Sequence, residues 1–328
     1  MRELTYLQAV YEAQREEMQR DSRVFIMGED IEASVFGTTT GFIEEFGRER
    51  VRNTPLSENG FVGAAAGAAM VGMRPIVDFT IASFTYVAMD QLISITAKAT
   101  YMYGGQTRVP VVLRAAMFYG GNNAAQHSDR PHPMFMNVPG LKIIAPSGPY
   151  DIKGLLKTAV RDDDPVMSFE DGTLWFTKEQ VPEEEYLIPL GKAAVKQEGD
   201  DVTVVAIAGA VPHALSAAEI LGADGVSVEV IDPRSLVPLD KETILASVEK
   251  TGRLVVVDPA HKTCSAASEI SAVVVEEGFW SLSAPIVRVA TPDVQIPFSP
   301  PLEQGLYPNP EKIVAAVRQT LAELTPTT

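Results

Sequence analysis

The first group in this sequence with chemistry available to it is a carboxylate that opens a glycine- and alanine-rich helical stretch. Thr54-Pro55-Leu56-Ser57-Glu58-Asn59-Gly60 runs directly into Phe61-Val62-Gly63-Ala64-Ala65-Ala66-Gly67. Glu58 has two readings from its place alone. It can stabilise the positive end of the helix dipole or take part in capping. In an apolar pocket it can instead hold a proton near neutrality and serve as an acid or base. Gly60-x-x-Gly63-x-x-x-Gly67 lacks the G-x-G-x-x-G spacing of a dinucleotide loop. Small residues three and four apart instead give a flat helix face, suited to internal packing or to another subunit.

Three further segments carry reactive or polar groups after apolar runs. Phe79-Thr80-Ile81-Ala82-Ser83-Phe84 offers aromatic walls for a pocket or ordinary core. The segment Met117–Pro139 is a long loop holding Gly120-Gly121-Asn122-Asn123, Gln126-His127-Ser128-Asp129 and His132. Loops beyond about 12–15 residues are often functional. Arg161-Asp162-Asp163-Asp164-Pro165 is either an oxygen-rich cation site or an exposed helix exit. His213 and His261 have no evident partner. The single cysteine, Cys264, excludes an internal disulfide and any multi-cysteine zinc site. No G-x-S-x-G nucleophile elbow occurs.

Open α/β sheets bind ligands beyond the carboxyl ends of their strands, so these groups need a sheet to bring them together. Continuous apolar runs at Val24–Met27, Pro75–Phe79, Val109–Ala115, Leu141–Ala145 and Pro165–Phe169 read as parallel strands covered on both faces. Thr5 caps a helix with an apolar stripe of Leu7, Val10, Tyr11, Gln14 and Met18. Further helical stretches are expected over Met89–Tyr103 and Tyr150–Arg161. An acidic, proline-bearing connector follows at 178–200, with Glu183-Glu184-Glu185 as a solvated run. The β/α alternation then restarts. Runs at Val202–Ala208, Val226–Ile231, Leu254–Val257 and Pro285–Val289 alternate with helices over Pro212–Leu221, Leu239–Glu249, Ser265–Glu277 and Pro310–Leu324. The fold class is therefore α/β, with two mainly parallel-sheet domains spanning 1–185 and 186–328.

Composition bounds the function from outside. The chain has 328 residues, 46% of them hydrophobic, with 27 Lys and Arg against 43 Asp and Glu, a net charge of −16. A surface this acidic disfavours nucleic acid as a partner. The longest charge-free run of small apolar residues, Gly60 to Met73, is shorter than the ~20 residues that span a bilayer. No signal-peptide pattern opens the sequence, so a soluble, cytoplasmic protein is expected.

The order of several motifs carries the reading further. These are Gly28-Glu29-Asp30, Thr54–Gly60, Gly72-Met73-Arg74-Pro75, Asp90-Gln91, Ala125-Gln126-His127-Ser128, Val138-Pro139-Gly140-Leu141-Lys142, Asp151-Ile152-Lys153-Gly154-Leu155 and Ile231-Asp232-Pro233-Arg234-Ser235-Leu236 with Pro238-Leu239-Asp240. Together they resemble, over roughly residues 3–324, the beta subunit of the decarboxylating component of 2-oxoacid dehydrogenase complexes. That group includes the pyruvate, branched-chain and acetoin types.

The resemblance implies a thiamine diphosphate pyrimidine-binding domain followed by a transketolase C-terminal-like domain. It implies oxidative decarboxylation of a 2-oxoacid with reductive acylation of a lipoyl group. Glu58 matches the glutamate that hydrogen-bonds the aminopyrimidine N1′ and favours its imino tautomer. Leu56 and Phe84 match positions that pack the pyrimidine ring. His127 matches an active-site histidine near the substrate and the lipoyl group, a candidate proton donor in acyl transfer. Val111, Ala159, Val160, Asp162 and Asp164 match a potassium site built largely from main-chain oxygens, although Asp164 is commonly Asn in relatives. The loop segments Met117–Asn123 and Asp129–His132 depart from the commoner pattern, which leaves the oxoacid unspecified. Magnesium and the diphosphate are held in this enzyme class by Gly-Asp-Gly, which this sequence lacks. The resemblance therefore implies an alpha chain that holds them, an alpha2beta2 assembly and a lipoyl acyltransferase core. Two alternatives stand beside this reading: a split transketolase or carboligase using a non-lipoyl acceptor, and a non-catalytic α/β assembly subunit.

Overall fold

The computed structural model describes residues Met1–Phe118 and Gly120–Ala322. Tyr119, within the divergent loop, and the end of the helix expected over 310–324 lie outside the described residues. Two compact units are present: Met1–Tyr119 with Gln126–Leu190, and Gly120–Ala125 with Gly191–Thr328. The division after Leu190 lies beyond the expected residue 185. Tyr186 stacks on Tyr150 at 4.7 Å and the Ile188 N–H bonds the Gly154 carbonyl, so the end of the acidic connector packs with the first unit.

In the first unit, β1 (Arg2–Thr5) leads into α1 (Tyr6–Arg20). Thr5 and Gln8 form a reciprocal capping box at that junction. Then follow β2 (Val24–Gly28), α2 (Phe42–Phe46), β3 (Val51–Asn53), α3 (Glu58–Met70) and β4 (Arg74–Ile81). After β4 come α4 (Ala99–Met102), β5 (Val112–Met117), α5 (Ala124–His127), α6 (His132–Met136) and β6 (Lys142–Ile144). The series ends with α7 (Pro149–Arg161), β7 (Val166–Asp171) and β8 (Lys178–Val181). Six strands of this unit pair in the order β6-β7-β5-β4-β2-β3, each parallel to its neighbours. β2, β5 and β7 are buried along their whole length, as their unbroken apolar runs require. β8 pairs antiparallel with β1 in a separate two-stranded sheet.

α1 packs on α7 through charge as well as apolar surface. Lys153 and Lys157 on α7 are both 2% exposed, and their ammonium groups reach Glu12 at 2.8 Å and Glu16 at 2.7 and 2.6 Å. Arg161 makes a forked pair with Glu17. Burying charges of both signs this way is tolerable because each is matched by a partner and hydrogen-bonded. These pairs turn α1 relative to the expected stripe: Tyr6, Ala9, Ala13 and Glu17 join Val10, Gln14 and Met18 in the interior.

The helix expected over Met89–Tyr103 is not one α-helix. A wide π-turn segment over Asp90–Thr96 precedes the short α4.

In the second unit, β9 (Ala194–Gln197), β10 (Val202–Ala206), α8 (Ala210–Ala223), β11 (Val228–Asp232), β12 (Ser235–Val237) and α9 (Lys241–Thr251) precede β13 (Leu254–His261). α10 (Ala266–Gly278), β14 (Val287–Thr291), α11 (Pro300–Glu303) and α12 (Pro310–Leu321) follow. The sheet order is β14-β13-β10-β11-β9, with β9 antiparallel at its edge. Its core gathers Val202, Val204, Val230, Val255 and Val257 against α8 and α12. Among the described residues no helix is long and apolar enough to cross a membrane.

Candidate functional site

The parallel register of the first unit aligns its strand ends. Gly28 pairs with Asn53 of β3 and with Asp78 of β4. Glu29 and Thr54 therefore leave the sheet side by side at its carboxyl edge. The β4 end and the loop after β5 leave at the same edge. At Gly28 an added Cβ would overlap the Asp78 carbonyl oxygen, so only glycine lets β2 lie this close to β4 before the chain turns to Glu29.

Glu58 is the first residue of α3, 8% exposed. Ser57 makes no side-chain cap, so the acidic group in the first turn is what the helix dipole meets there. α3 carries Gly60, Gly63 and Gly67, each costing roughly 1 kcal/mol of helix propensity relative to alanine. Burial of Phe61, Val62, Ala65, Ala66 and Ala69 offsets that cost. The opposite face is exposed and nearly without side chains. At Gly63 a Cβ would crowd the Gln91 amide oxygen at 2.9 Å, whereas at Gly67 it would meet nothing within 4 Å.

The carboxylate that sequence reasoning passed over as a site residue is Glu29. Burial, and then the neighbouring Glu58 and Asp30 carboxylates, push its pKa up to about 7. Its Oε1 is buried with no hydrogen-bond partner. The signal was present in the sequence, since Gly28-Glu29-Asp30 directly follows an apolar strand. The protonated form of Glu29 is favoured near neutrality, because burial and then the Glu58 and Asp30 carboxylates both oppose its ionisation. Beneath them Arg114 ties the sheet together. Its guanidinium bonds both Glu170 oxygens at 2.8 and 2.7 Å, and also Asp78 and Gln14 at 2.9 Å. Burial opposes the charge on Arg114, but Glu170 and Asp78 outweigh it and raise its pKa.

Phe84 and His127 come together. Their rings meet edge to face at 5.5 Å, both half-buried, and the His127 Nδ1 is buried without a hydrogen-bond partner. Tyr86, two residues beyond Phe84, bonds Asp129, two residues beyond His127. Burial and that carboxylate push the Tyr86 hydroxyl up. Leu56, expected against a ring, is 82% exposed. Within this chain it covers nothing.

The expected cation residues gather at the other edge of the sheet. Val111 precedes β5, and Asp162 and Asp164 lie between α7 and β7, so all three stand at strand amino ends. Lys142 Nζ bonds both Asp162 oxygens at 2.8 Å and pairs with Asp164 at 3.1 Å. Arg74 donates to the carbonyls of Val160 at 2.9 Å and Asp162 at 2.8 Å. The Val111 carbonyl accepts the Val166 N–H, and the Ala159 carbonyl accepts the Asp162 N–H. The carboxylates are thus already matched by lysine and do not fit as ion ligands. Only second lone pairs on main-chain carbonyls remain for a monovalent ion. Among the described residues no cluster of three or more His, Cys, Asp or Glu is placed to hold a metal.

Residues 2–173 match the family described as Transketolase, pyrimidine binding domain, and residues 191–313 match Transketolase, C-terminal domain. The chain is 45% identical over 324 residues to the 2-oxoisovalerate dehydrogenase subunit beta of Bacillus subtilis (strain 168), covering 98% and 99% of the two chains. It is 44% identical over 329 residues to the acetoin:2,6-dichlorophenolindophenol oxidoreductase subunit beta of the same organism, covering 96% of each. It is 41% identical over 319 residues to the pyruvate dehydrogenase E1 component subunit beta of Rickettsia bellii (strain RML369-C), covering 97% and 98%. Among solved structures, a split gene transketolase described as an inactive beta4 tetramer superposes with a TM-score of 0.80 at 25% identity, covering 96% and 97%.

Proposed function

This chain belongs to the beta subunits of the thiamine-diphosphate-dependent 2-oxoacid dehydrogenase family, and from that premise we propose that it supplies the pyrimidine half of an active site that oxidatively decarboxylates a 2-oxoacid. The observation that carries the proposal is Glu58, a buried carboxyl in the first turn of α3 at the carboxyl edge of a parallel sheet. The residues present fit the group: Glu58 lies beside Glu29, whose carboxyl titrates near neutrality, and a ring nitrogen needs such a proton partner. When bound, thiamine diphosphate supplies a carbon nucleophile and an electron sink for decarboxylation. Glu58 holds or shares the proton at the pyrimidine nitrogen. Glu29, its own pKa raised by burial and then by Glu58 and Asp30, stands beside it as a carboxyl that holds its proton near neutrality. Phe84 offers an aromatic wall, and Leu56 an exposed apolar contact that a ring or a second chain covers. His127, half-buried against Phe84, delivers a proton as the acyl group passes to a lipoyl dithiolane.

The sequence offers no Gly-Asp-Gly for magnesium and diphosphate. We therefore assign those to an alpha chain, in an alpha2beta2 assembly bound by a lipoyl acyltransferase core. Identities of 45%, 44% and 41% to branched-chain, acetoin and pyruvate relatives do not choose the substrate. The dehydrogenase relatives, rather than the 25% identical split transketolase, favour a lipoyl acceptor over a carboligation acceptor.

The test combines this chain with its alpha chain, magnesium and thiamine diphosphate, and follows dye reduction with pyruvate, a branched-chain oxoacid and acetoin in turn. Glu58→Gln removes the titrating proton while keeping shape. It should lower turnover at least a hundredfold with assembly intact, as general acid–base losses of this kind do. Retention of most of the activity refutes the role of Glu58. Acyl transfer to free lipoamide separates the dehydrogenase from a carboligase.

A further inference from the structure

Glu303, the last residue of α11, is 1% exposed, and nothing in the chemistry above uses it. Burying a carboxylate is costly unless donors surround it. Its Oε1 accepts the Gly120 N–H at 2.9 Å and the Tyr307 O–H at 2.8 Å, and its Oε2 accepts the Asn122 N–H at 3.1 Å. Hydrogen bonds to an ionised acceptor are the stronger kind. Both amides belong to the opening of the long loop that carries His127, and the whole Gly120–Ala125 segment shares a compact unit with Glu303.

The gripped backbone is in a form that it would not hold by itself. Gly120, Asn122 and Ala124 have φ of 70°, 59° and 56°. That left-handed region suits glycine, is tolerated by asparagine and is disfavoured for alanine. Such conformations persist where their surroundings over-determine them. His127 follows three residues after Ala124. On its far side the loop is fixed by the Tyr86–Asp129 bond and by Arg130 donating to the Ser128 carbonyl at 2.9 Å. On its near side the fixing group comes from 183 residues further along the chain.

We propose that Glu303 is a positioning residue for His127: its carboxylate sets the path of Gly120–Asn122 and so sets where the loop delivers the imidazole. This rests on the reading of His127 as proton donor in acyl transfer.

The test uses the enzyme assembled with its alpha chain and two readouts. One is hydrogen exchange of segment 120–127. The other is the ratio of lipoamide acylation rate to oxoacid-dependent dye reduction, which general loss of folded enzyme does not move. Glu303→Leu should raise exchange in that segment at least tenfold and lower the ratio at least tenfold. Glu303→Gln, able to accept from one amide but not both, should fall between. His127→Ala should lower the ratio to a similar degree, and adding Glu303→Leu to it should lower the ratio no further, because the two act on one step. If Glu303→Leu fails to assemble, Glu303→Gln and Tyr307→Phe are read in the same assays, with smaller rises in exchange expected. Wild-type exchange in the Glu303 variants overturns the proposal. So does raised exchange with an unchanged ratio while His127→Ala lowers it. An unchanged ratio in His127→Ala itself removes the underlying reading of that histidine, and the positioning role falls with it.

Discussion

Replacing Glu29 by glutamine isolates the electrostatics of the carboxyl pair without altering Glu58. In the folded chain, burial and then the Glu58 and Asp30 carboxylates raise Glu29 from 4.5 to about 7. Between those values the folded protein binds more protons than the unfolded chain. The free energy of unfolding contributed by this group therefore falls as pH rises from about 4.5 to about 7 and stays low above it. A displacement of that size corresponds to at most about 3.4 kcal/mol. Water at a half-buried carboxyl screens this to about 1–2 kcal/mol. Glutamine keeps the shape and carries no charge at any pH. The variant should therefore be more stable than the parent by about 1–2 kcal/mol near pH 8, with the two curves converging towards pH 4.5. Urea unfolding followed by circular dichroism at steps from pH 4.5 to pH 8 measures this, and titrating groups remote from Glu29 cancel in the difference. Parallel curves across the range, or a variant less stable than the parent at pH 8, refute the raised pKa of Glu29.

Gly67→Leu tests the bare face of α3. A Cβ there meets nothing within 4 Å, so the isolated subunit should gain roughly 1 kcal/mol from helix propensity. Co-assembly with the alpha chain should weaken at least tenfold by sedimentation, and unchanged assembly removes that face from the interface. Thermal unfolding in KCl against NaCl tests the carbonyl cluster at the amino edge. A potassium-specific rise in Tm that grows with concentration supports an ion there, and superimposable curves dismiss it.

The buried central strands of both units were legible because unbroken apolar runs have one stable use in an α/β protein, whereas the short strands β1, β3, β8, β9 and β12 carry no such run. Val24–Met27 and Val202–Ala206 sit fully buried, as that pattern requires. The Thr5 cap was equally local, a side chain and an amide three residues apart. What sequence did not disclose depends on distant partners. The face of α1 turned because Glu17 finds Arg161, 144 residues away. The wide turn at Asp90–Thr96 keeps the same apolar residues that an α-helix would use, so periodicity cannot distinguish them. In the site, Glu58 was singled out by its place before a helix, yet on spacing alone capping or dipole stabilisation was the commoner explanation. Glu29 had the weaker local signal, a carboxylate after a strand, and acquires its raised pKa only in the fold, through burial first and then the Glu58 and Asp30 carboxylates. Asp162 and Asp164 read as open oxygen ligands until Lys142, from another strand, is seen to occupy them.

The clasp between α1 and α7 has a practical consequence for chemical labelling. Lys153 and Lys157 have their amines shut inside the first unit by Glu12 and Glu16, while Lys178, Lys192 and Lys241 stand well out in solvent. Amine-directed reagents will modify the latter group first. Adducts on the former then become a gauge of how often the N-terminal helix lifts away, a record of local breathing readable by mass spectrometry.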